Sequence, residues 1–419
     1  MKILVLGSGA REHAIITALL REDAGHDIVA APGNAGIAEA VDTVALDPTK
    51  GAVVADYAIE NDIELVVVGP EAPLVAGVAD ALRTRGIAVF GPSAKAAQLE
   101  GSKAFAKRIM EAAGVPTGRA VRAATIAEVE DALDAYGAPY VVKADGLAAG
   151  KGVIVTDDRA AALAHAQHYL QQGGVLVEEF LSGQEISLFL LSDGSTVVPL
   201  SPAQDYKRIG EGDTGANTGG MGAYSPLPWA PESLVDEVIQ SVAQPTIRQL
   251  AAEGTPFIGL LYCGLILTAT GVRVIEFNAR FGDPETQVVL PRLTTPLSTL
   301  LFAAATGTLA SAPAPQFSDD VAVTVVLASE GYPDTPHTGR PLTGLAEAAA
   351  VEGVHLCHAA TAHGDNGFVA TGGRVLSVVA TGPDFTVARE RVYRAIDLIG
   401  LEGGQVRRDI AARVDPAAS

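Results

Sequence analysis

The sequence predicts a chain of several domains in the α/β and α+β classes, with a doubly wound α/β domain first and a mostly-β domain last. Three observations carry this. Apolar runs of strand length alternate with helix-period segments over about the first hundred residues, the pattern of a parallel sheet covered on both faces. A Pro/Ala stretch, Ala310-Ser311-Ala312-Pro313-Ala314-Pro315, has the composition of a linker. Beyond it, Val321–Ala328, Gly353–His358, Phe368–Ala370 and Arg374–Val379 read as strands, closed by a helical pattern from about Phe385 to Leu398. A length of 419 residues leaves room for roughly two to four domains with cores of their own.

Composition narrows the class. Hydrophobic residues make up 48% of the chain and charged residues 19%, as in a folded globular protein. A formal charge of −20 argues against nucleic acid or an anionic membrane as partner. Anionic substrates stay open, because local Lys and Arg clusters override net charge at short range. The two cysteines, Cys263 and Cys357, are far apart in apolar surroundings and predict reduced, buried thiols. The opening apolar run is too short for a signal peptide, and no run reaches the length of a membrane span. A soluble, cytoplasmic protein is the expectation.

In chain order, Lys2–Leu6 reads as a buried parallel strand, followed by Gly7-Ser8-Gly9-Ala10-Arg11-Glu12 and a helix to about Leu20. A strand, a glycine-rich turn and a helix N-terminus together make an anion site. The dinucleotide fingerprint requires glycine where Glu12 stands, which weighs against a nicotinamide cofactor. Strands at Asp27–Ala31, Glu64–Val68 and Ala88–Phe90 complete the unit. Their carboxyl edge carries Gly9, Asn34 and Glu71, where open α/β sheets bind ligands.

A helix over about 101–113 stops before Gly114-Val115-Pro116. Two strands, Pro139–Lys143 and Val153–Thr156, flank Ala144–Gly152, a glycine-rich loop with Lys143 at one end and Lys151 at the other. Such a loop can lay backbone N–H groups and ammoniums over a triphosphate, and it also suits a flexible hairpin tip. It is not a Walker loop, since Lys151 is followed by Gly152. Val175–Glu185 reads as a strand leaving its sheet, then Ile186–Leu191 and Thr196–Leu200 as a hairpin. Six glycines within Gly210–Gly222 exclude helix or strand interior and suggest a ligand clamp. Pro231–Gln249 reads as a helix, and Phe257–Thr268 with Val272–Asn278 as two strands.

The last of these strands carries the chemistry. Ile275 and Phe277 are expected on one face, Glu276 and Asn278 on the other, with the latter two Cα atoms roughly 7 Å apart. A carboxylate and an amide oxygen so placed can share one hard cation completed by substrate phosphates; a solvated hairpin end fits the same residues. Arg280 and Asp283 follow in a turn interrupted by Gly282 and Pro284.

Taken together the motifs resemble the phosphoribosylamine–glycine ligase family of ATP-grasp enzymes. The resemblance rests on Gly7–Ala14, Ala31–Gly36, Gly69–Leu74, Leu99–Lys103, Lys143–Gly152, Asp205–Pro226 and Glu276–Thr286, in that order along essentially the whole chain. It departs at Pro202-Ala203, and the stretch between Leu170 and Val175 is trimmed. The resemblance implies an N-terminal substrate domain over 1–100, an ATP-grasp domain over 101–312 with a lid at about 117–188, and a C-terminal domain over 318–419. It implies ligation of glycine to 5-phosphoribosylamine with ATP as co-substrate and Mg²⁺ or Mn²⁺ as cofactor, through glycyl phosphate, by a monomer.

Its implied residues are as follows. Glu276 and Asn278 hold the metal. Lys103, Lys143, Gly146, Gly150, Lys151 and Gly152 face the phosphates, and Glu178, Glu179, Phe180 and Leu181 form the adenine connection with Glu185 at the ribose. Arg280 steadies the acyl phosphate, with Lys143 and Lys151 sharing in catalysis. Asp205 takes glycine's ammonium, with Lys207 and Asp283 also in the substrate site. Gly9 through its backbone, Asn34, and Glu71 through ribose hydroxyls take the phosphoribosylamine. A related grasp enzyme with other substrates, such as a carboxylase, is the alternative.

Overall fold

The computed structural model describes residues 1–146 and 152–417. The first domain forms as its apolar alternation predicts. β1 (Lys2–Gly7), α1 (Ala10–Arg21), β2 (Asp27–Pro32), a short β3 (Asp42–Thr43), α2 (Gly51–Glu60), β4 (Leu65–Val68), α3 (Glu71–Val75), α4 (Val78–Thr84) and β5 (Ala88–Phe90) build a parallel sheet ordered β3-β2-β1-β4-β5. β1 and β4 are buried along nearly their whole length, which accounts for their unbroken apolar sequences. Strand order reverses between them, so the ligand-binding crevice of such a sheet lies where Gly7–Gly9 and Gly69–Glu71 emerge.

After α5 (Gln98–Gly101), α6 (Lys103–Ala113) begins two residues later than expected. Ser102 is extended and its Oγ accepts the amide of Phe105 at 3.2 Å, so it caps the helix instead of joining it. β6 (Ala120–Ala123), α7 (Ile126–Tyr136), β7 (Tyr140–Ala144), β8 (Val153–Thr156), α8 (Arg159–Leu170) and β9 (Val175–Glu178) form an antiparallel sheet ordered β6-β9-β7-β8. Its two helices bury Val129, Leu133, Ala162 and Ala166 against Val142 and Val177, a small core separate from the larger ones.

β10 (Gln184–Asp193) and β11 (Val197–Pro199) come next, then four short strands, β12 (Gln204–Asp205), β13 (Arg208–Gly210), β14 (Thr214–Asn217) and β15 (Gly222–Ser225). The glycine-rich stretch expected to hold no strand interior therefore holds the last residue of β13, all of β14 and the start of β15. Glycine weakens a strand without forbidding it, and pairing with neighbours overrides the local preference. The following helix starts at Leu234, later than expected, and runs through a π-helical turn at Ile239–Ala243 to Ala252. β16 (Ile258–Thr268) and β17 (Gly271–Asn278) complete the central antiparallel sheet, ordered β11-β10-β16-β17.

The last sheet joins β18 (Val321–Ala328), β19 (Val354–His358) and, after the hairpin β20 (Thr361–Gly364) with β21 (Gly367–Ala370), β22 (Arg374–Gly382). Its order is β12-β15-β18-β22-β19, so it draws strands from both sides of the Pro/Ala linker. That sharing carries the glycine-rich stretch and the turn after β17 up to Arg374. The closing helix, Phe385–Leu398, is capped by Asp384 and buries Phe385, Ala388, Val392, Ala395 and Ile396. Cys263 and Cys357 are buried free thiols.

Candidate active site

β17 supplies the metal-binding candidates, with one change from simple alternation. Gly264 on β16 pairs with Glu276 and Leu265 with Val274, so Ile275 is an extra residue, a bulge. Val274 and Phe277 are buried while Ile275 is half-buried, and the common face expected for Ile275 and Phe277 is not kept. Glu276 and Asn278 follow the bulge and keep their shared phase. Opposite them a Cβ on Gly264 would meet Glu276 Cγ at 3.1 Å, so glycine there makes room for the carboxylate.

Among the described residues neither the Glu276 nor the Asn278 side chain makes a hydrogen bond or ion pair, and no cluster of three His, Cys, Asp or Glu could hold a metal unaided. Two free, half-buried oxygen donors fit a hard divalent cation whose other ligands are phosphate oxygens and water.

Ammonium groups gather beside this pair. Lys143, buried on β7, places Nζ 2.9 Å from Glu178 Oε2 and 3.2 Å from the Ile275 carbonyl exposed by the bulge. Lys107 reaches the same Glu178 oxygen at 3.3 Å. Lys103 donates to the Gly146 carbonyl at 3.0 Å and has no carboxylate within ion-pair distance among the described residues. Burial pulls its ammonium below the usual lysine range, with Glu276 opposing. Gly152 returns to the sheet, its carbonyl accepting the Ala144 amide at 2.7 Å. Gly150 and Lys151 lie outside the described residues.

The connection from β9 to β10 runs along the rim. Phe180 is exposed and Leu181 half-buried. The Glu179 carboxylate is paired with Arg119 at 2.7 Å. Glu185 pairs with Lys207 at 2.6 Å, and Lys207 with Asp205 at 2.8 Å. Burial pushes the Asp205 carboxyl up, to about 7, against the pull of Lys207. Burial alone would lower Lys207, yet Asp205 and Glu185 hold it well above its ordinary value. Behind them Glu285 accepts Ser187 Oγ at 3.0 Å and Tyr262 Oη at 2.8 Å.

Beyond Asn278 the chain enters a corner where charges are paired. Arg280 Nε lies 3.2 Å from Glu71 Oε2 and Arg280 Nη2 2.9 Å from Glu100 Oε1. Burial works against the guanidinium, but Glu100 and Glu71 raise its pKa above the ordinary value. Asp283 faces Arg374 Nη2 at 3.2 Å and Gln287 at 2.8 Å. Asp283 also borders a cleft of about 500 Å³ together with Ser8, Gly9, Asn34, Thr361 and Arg374. Asn34 is fixed there, donating to the Ser8 and His358 carbonyls at 2.8 Å each.

Gly9 differs from expectation. Its amide donates to Glu12 Oε2 at 2.6 Å, so that N–H is not free for a ligand; the next amides of α1, which no helix carbonyl can reach, are the open ones. Glu12, also 2.5 Å from Arg11 Nε, lies buried under the loop where a side chain on Gly69 would collide with it. The carboxylate thus fills the space that a dinucleotide loop leaves to a third glycine.

The structure brings Lys103, Lys143, Glu178, Glu276 and Asn278 to one floor, and Gly9, Asn34 and Asp283 to one cleft. Arg280 and Glu71 meet between the domains, and Glu185, Asp205 and Lys207 form a third group. Sequence reasoning passed over Lys107, Glu100, Glu285, Thr361 and Arg374. Lys107 carried a signal, since it shares a helix face with Lys103 four residues earlier. Arg374 carried none, because only sheet pairing brings it to Asp283.

Comparison with known proteins agrees with this layout. Family models of phosphoribosylglycinamide synthetase match in order: the N domain over residues 1–100, the ATP-grasp (A) domain over 101–286 and the C domain over 322–413. The phosphoribosylamine–glycine ligase of Leifsonia xyli subsp. xyli is 73% identical over 99% of this chain and 100% of its own length. That of Streptomyces coelicolor is 60% identical over 99% of each. The crystal structure of the Thermotoga maritima phosphoribosylamine–glycine ligase superposes with a TM-score of 0.84 at 32% identity, covering 98% of this chain and 100% of that one. ATP-grasp enzymes use ATP and a divalent metal, which matches the donors on β17 and the lysines beside them. Across all three of its domains, the chain belongs to the phosphoribosylglycinamide synthetase family.

Proposed function

We propose that the chain catalyses the ATP-dependent ligation of glycine to 5-phosphoribosylamine in purine biosynthesis, giving glycinamide ribonucleotide, ADP and phosphate. One observation carries the reading: the end of β17 and its turn touch both halves of such a reaction. Glu276 and Asn278 meet the lysine floor, and Asp283, a few residues on, borders the cleft of Gly9, Asn34 and Arg374.

Glycine's carboxylate attacks the γ-phosphorus, the bond to ADP breaks with its electron pair leaving on ADP, and the amine of phosphoribosylamine then displaces phosphate from glycyl phosphate. Two anions must be brought together, so the protein's contribution is alignment and charge neutralisation. Lys103 and Lys143, with Lys151, hold the phosphate oxygens, and Arg280 faces the acyl phosphate. The 179–181 main chain takes adenine and Glu185 the ribose. Asp205, beside Lys207, receives glycine's ammonium. A Mg²⁺ ion, or Mn²⁺ in its place, held by Glu276 and Asn278, neutralises phosphate charge when bound. Asn34 and the first amides of α1 hold the phosphoribosylamine, with Asp283 at the cleft wall and Glu71 toward ribose hydroxyls.

We place the reaction in the cytoplasm, as its pathway and two buried free thiols suggest, and assign it to a monomer, which sedimentation would check. The experiment for the reaction is ATP turnover with glycine and phosphoribosylamine, set against bicarbonate and aminoimidazole ribonucleotide. Turnover with the first pair is expected; turnover with only the second would identify a carboxylase and overturn the reading.

A further inference from the structure

We infer that Glu71 and Glu100 are positioning residues for Arg280 with unequal tasks: Glu100 is a permanent brace, and Glu71 is a releasable partner that restrains Arg280 until the amine substrate takes its carboxylate. The inference rests on the reading that Arg280 faces the acyl phosphate and the neighbouring cleft takes phosphoribosylamine.

The two contacts differ in every respect that governs exchange. Glu100 uses both oxygens, Oε1 on Arg280 Nη2 at 2.9 Å and Oε2 on the Ala279 amide at 2.7 Å. It thereby grips the guanidinium and the main chain just before it. Its side chain is 6% exposed, and burial pushes its carboxyl up although Arg280 opposes. Removing a partner from so dry a charge is costly.

Glu71 makes one contact to the guanidinium, at 3.2 Å, and its side chain is 35% exposed. Burial would raise its carboxyl, yet Arg280 and Arg11 hold it below the ordinary range, so it stays ionised. It opens α3 at the sheet's switch point, within reach of water that can replace Arg280.

Each nitrogen of Arg280 is engaged, with Nη1 on the Phe281 carbonyl at 3.0 Å. A planar guanidinium meets a phosphate best through two parallel N–H bonds. The Nε–Nη2 edge of Arg280 is held by Glu71 and Glu100, while one N–H on each of Nη1 and Nη2 stays open among the described residues. Turning the Nε–Nη2 edge toward an acyl phosphate means giving up one of the two carboxylates, and Glu71 is the one whose loss leaves no buried unpaired charge. Phosphoribosylamine hydroxyls at Glu71 would supply the replacement partner. Phosphoryl transfer to glycine is then restrained until the amine that consumes glycyl phosphate is present. Without that restraint glycyl phosphate forms early and water hydrolyses it, so that ATP and water give ADP and phosphate with glycine regenerated.

The test uses the full chain with ATP and glycine but no amine, following ADP release, beside the complete reaction. Glu71→Gln keeps the shape and weakens the hold on Arg280, so amine-independent, glycine-dependent ADP release is expected to rise about tenfold. Glu100→Gln is expected to lower ADP release with and without amine. A merely structural role cannot raise a rate, so Glu71→Gln decides the point even if the Glu100 variant fails to fold. Amine-independent release at or below the wild-type level in folded Glu71→Gln would overturn the inference. If wild type makes no glycinamide ribonucleotide, the functional reading fails; if it does and Glu71→Gln stays flat, only the inference fails.

Discussion

The floor beside β17 and the corner after it lie within a few residues of each other, yet they treat charge in opposite ways. On the floor, Glu276, Asn278 and Lys103 have no ionic partner among the described residues. In the corner, Arg280, Arg374 and Arg11 each have a carboxylate at 3.2 Å or less. A site with open valences gains a ligand by adding contacts, whereas a site with closed valences gains one by exchanging them. The first arrangement suits a metal nucleotide that brings its own charge. The second suits a step that must wait for its second substrate.

The largest expected effect comes from the open side. Glu276→Ala should reduce ATP turnover by roughly 10³-fold, because the carboxylate serves only the bound cation. Thermal unfolding should hardly move, since no hydrogen bond or ion pair of the described residues is lost. Wild-type turnover at ordinary Mg²⁺ would remove the metal assignment, and a large drop in Tm would show that the residue is not free.

Two lysines on the same floor sharpen the contrast. Lys143 is buried against Glu178, which keeps Lys107 when Lys143 is lost, so Lys143→Ala should cost about 2 kcal/mol of stability besides raising the ATP KM and lowering kcat. Lys103 has only a carbonyl partner among the described residues, so Lys103→Ala should cost kinetics and little stability. Denaturant unfolding of the two variants separates them; equal destabilisation would break the distinction between open and closed positions.

The residues that sequence reasoning located are those whose placement is local. Glu276 and Asn278 share a face because strands repeat every two residues, and the closing helix reads cleanly because Asp384 caps an apolar period from Phe385. The bulge at Ile275 was not legible, since it depends on Gly264 across the sheet. Glu12 was visible only as a departure from a glycine fingerprint; that it fills the space beneath Gly69 depends on two parallel strands lying side by side. Strands β13 to β15 were missed because sheet pairing outweighed glycine's local preference. Arg374 reaches Asp283 only through the β18–β22 and β15–β18 registers, which no spacing along the chain announces.

Acid should weaken the closed side. His13 on α1 and His355 and His358 on β19 pack where the first and last domains meet. Burial lowers all three: His13 to about 3, helped by His358; His355 to about 4, helped by Arg21; and His358 to about 4, helped by His363. Each folded value lies below the ordinary one, so the unfolded chain binds more protons below about 6.5, and stability is lost as pH drops from about 6.5 to 4. Each histidine accounts for about 2 kcal/mol at pH 5, and His13→Asn should flatten the curve of unfolding free energy against pH. A curve unchanged by that substitution would place the acid sensitivity elsewhere.

The smallest effect tests whether the cleft wall belongs to the sugar half alone. Arg374 ties the Asp283 carboxylate at 3.2 Å, the Asp283 carbonyl at 3.0 Å and the Gly219 carbonyl at 2.7 Å, so one side chain joins the turn after β17 to the glycine-rich stretch. Arg374→Ala removes those ties and leaves Asp283 with Gln287. The KM for phosphoribosylamine should rise about tenfold while the ATP KM stays within about twofold, because Arg374 touches none of the lysines around Glu178. Arg374→Lys keeps the charge without the fork and should fall between the two. If both KM values rise together, the floor and the cleft respond as one unit, and the division between added and exchanged contacts does not hold at the substrate level.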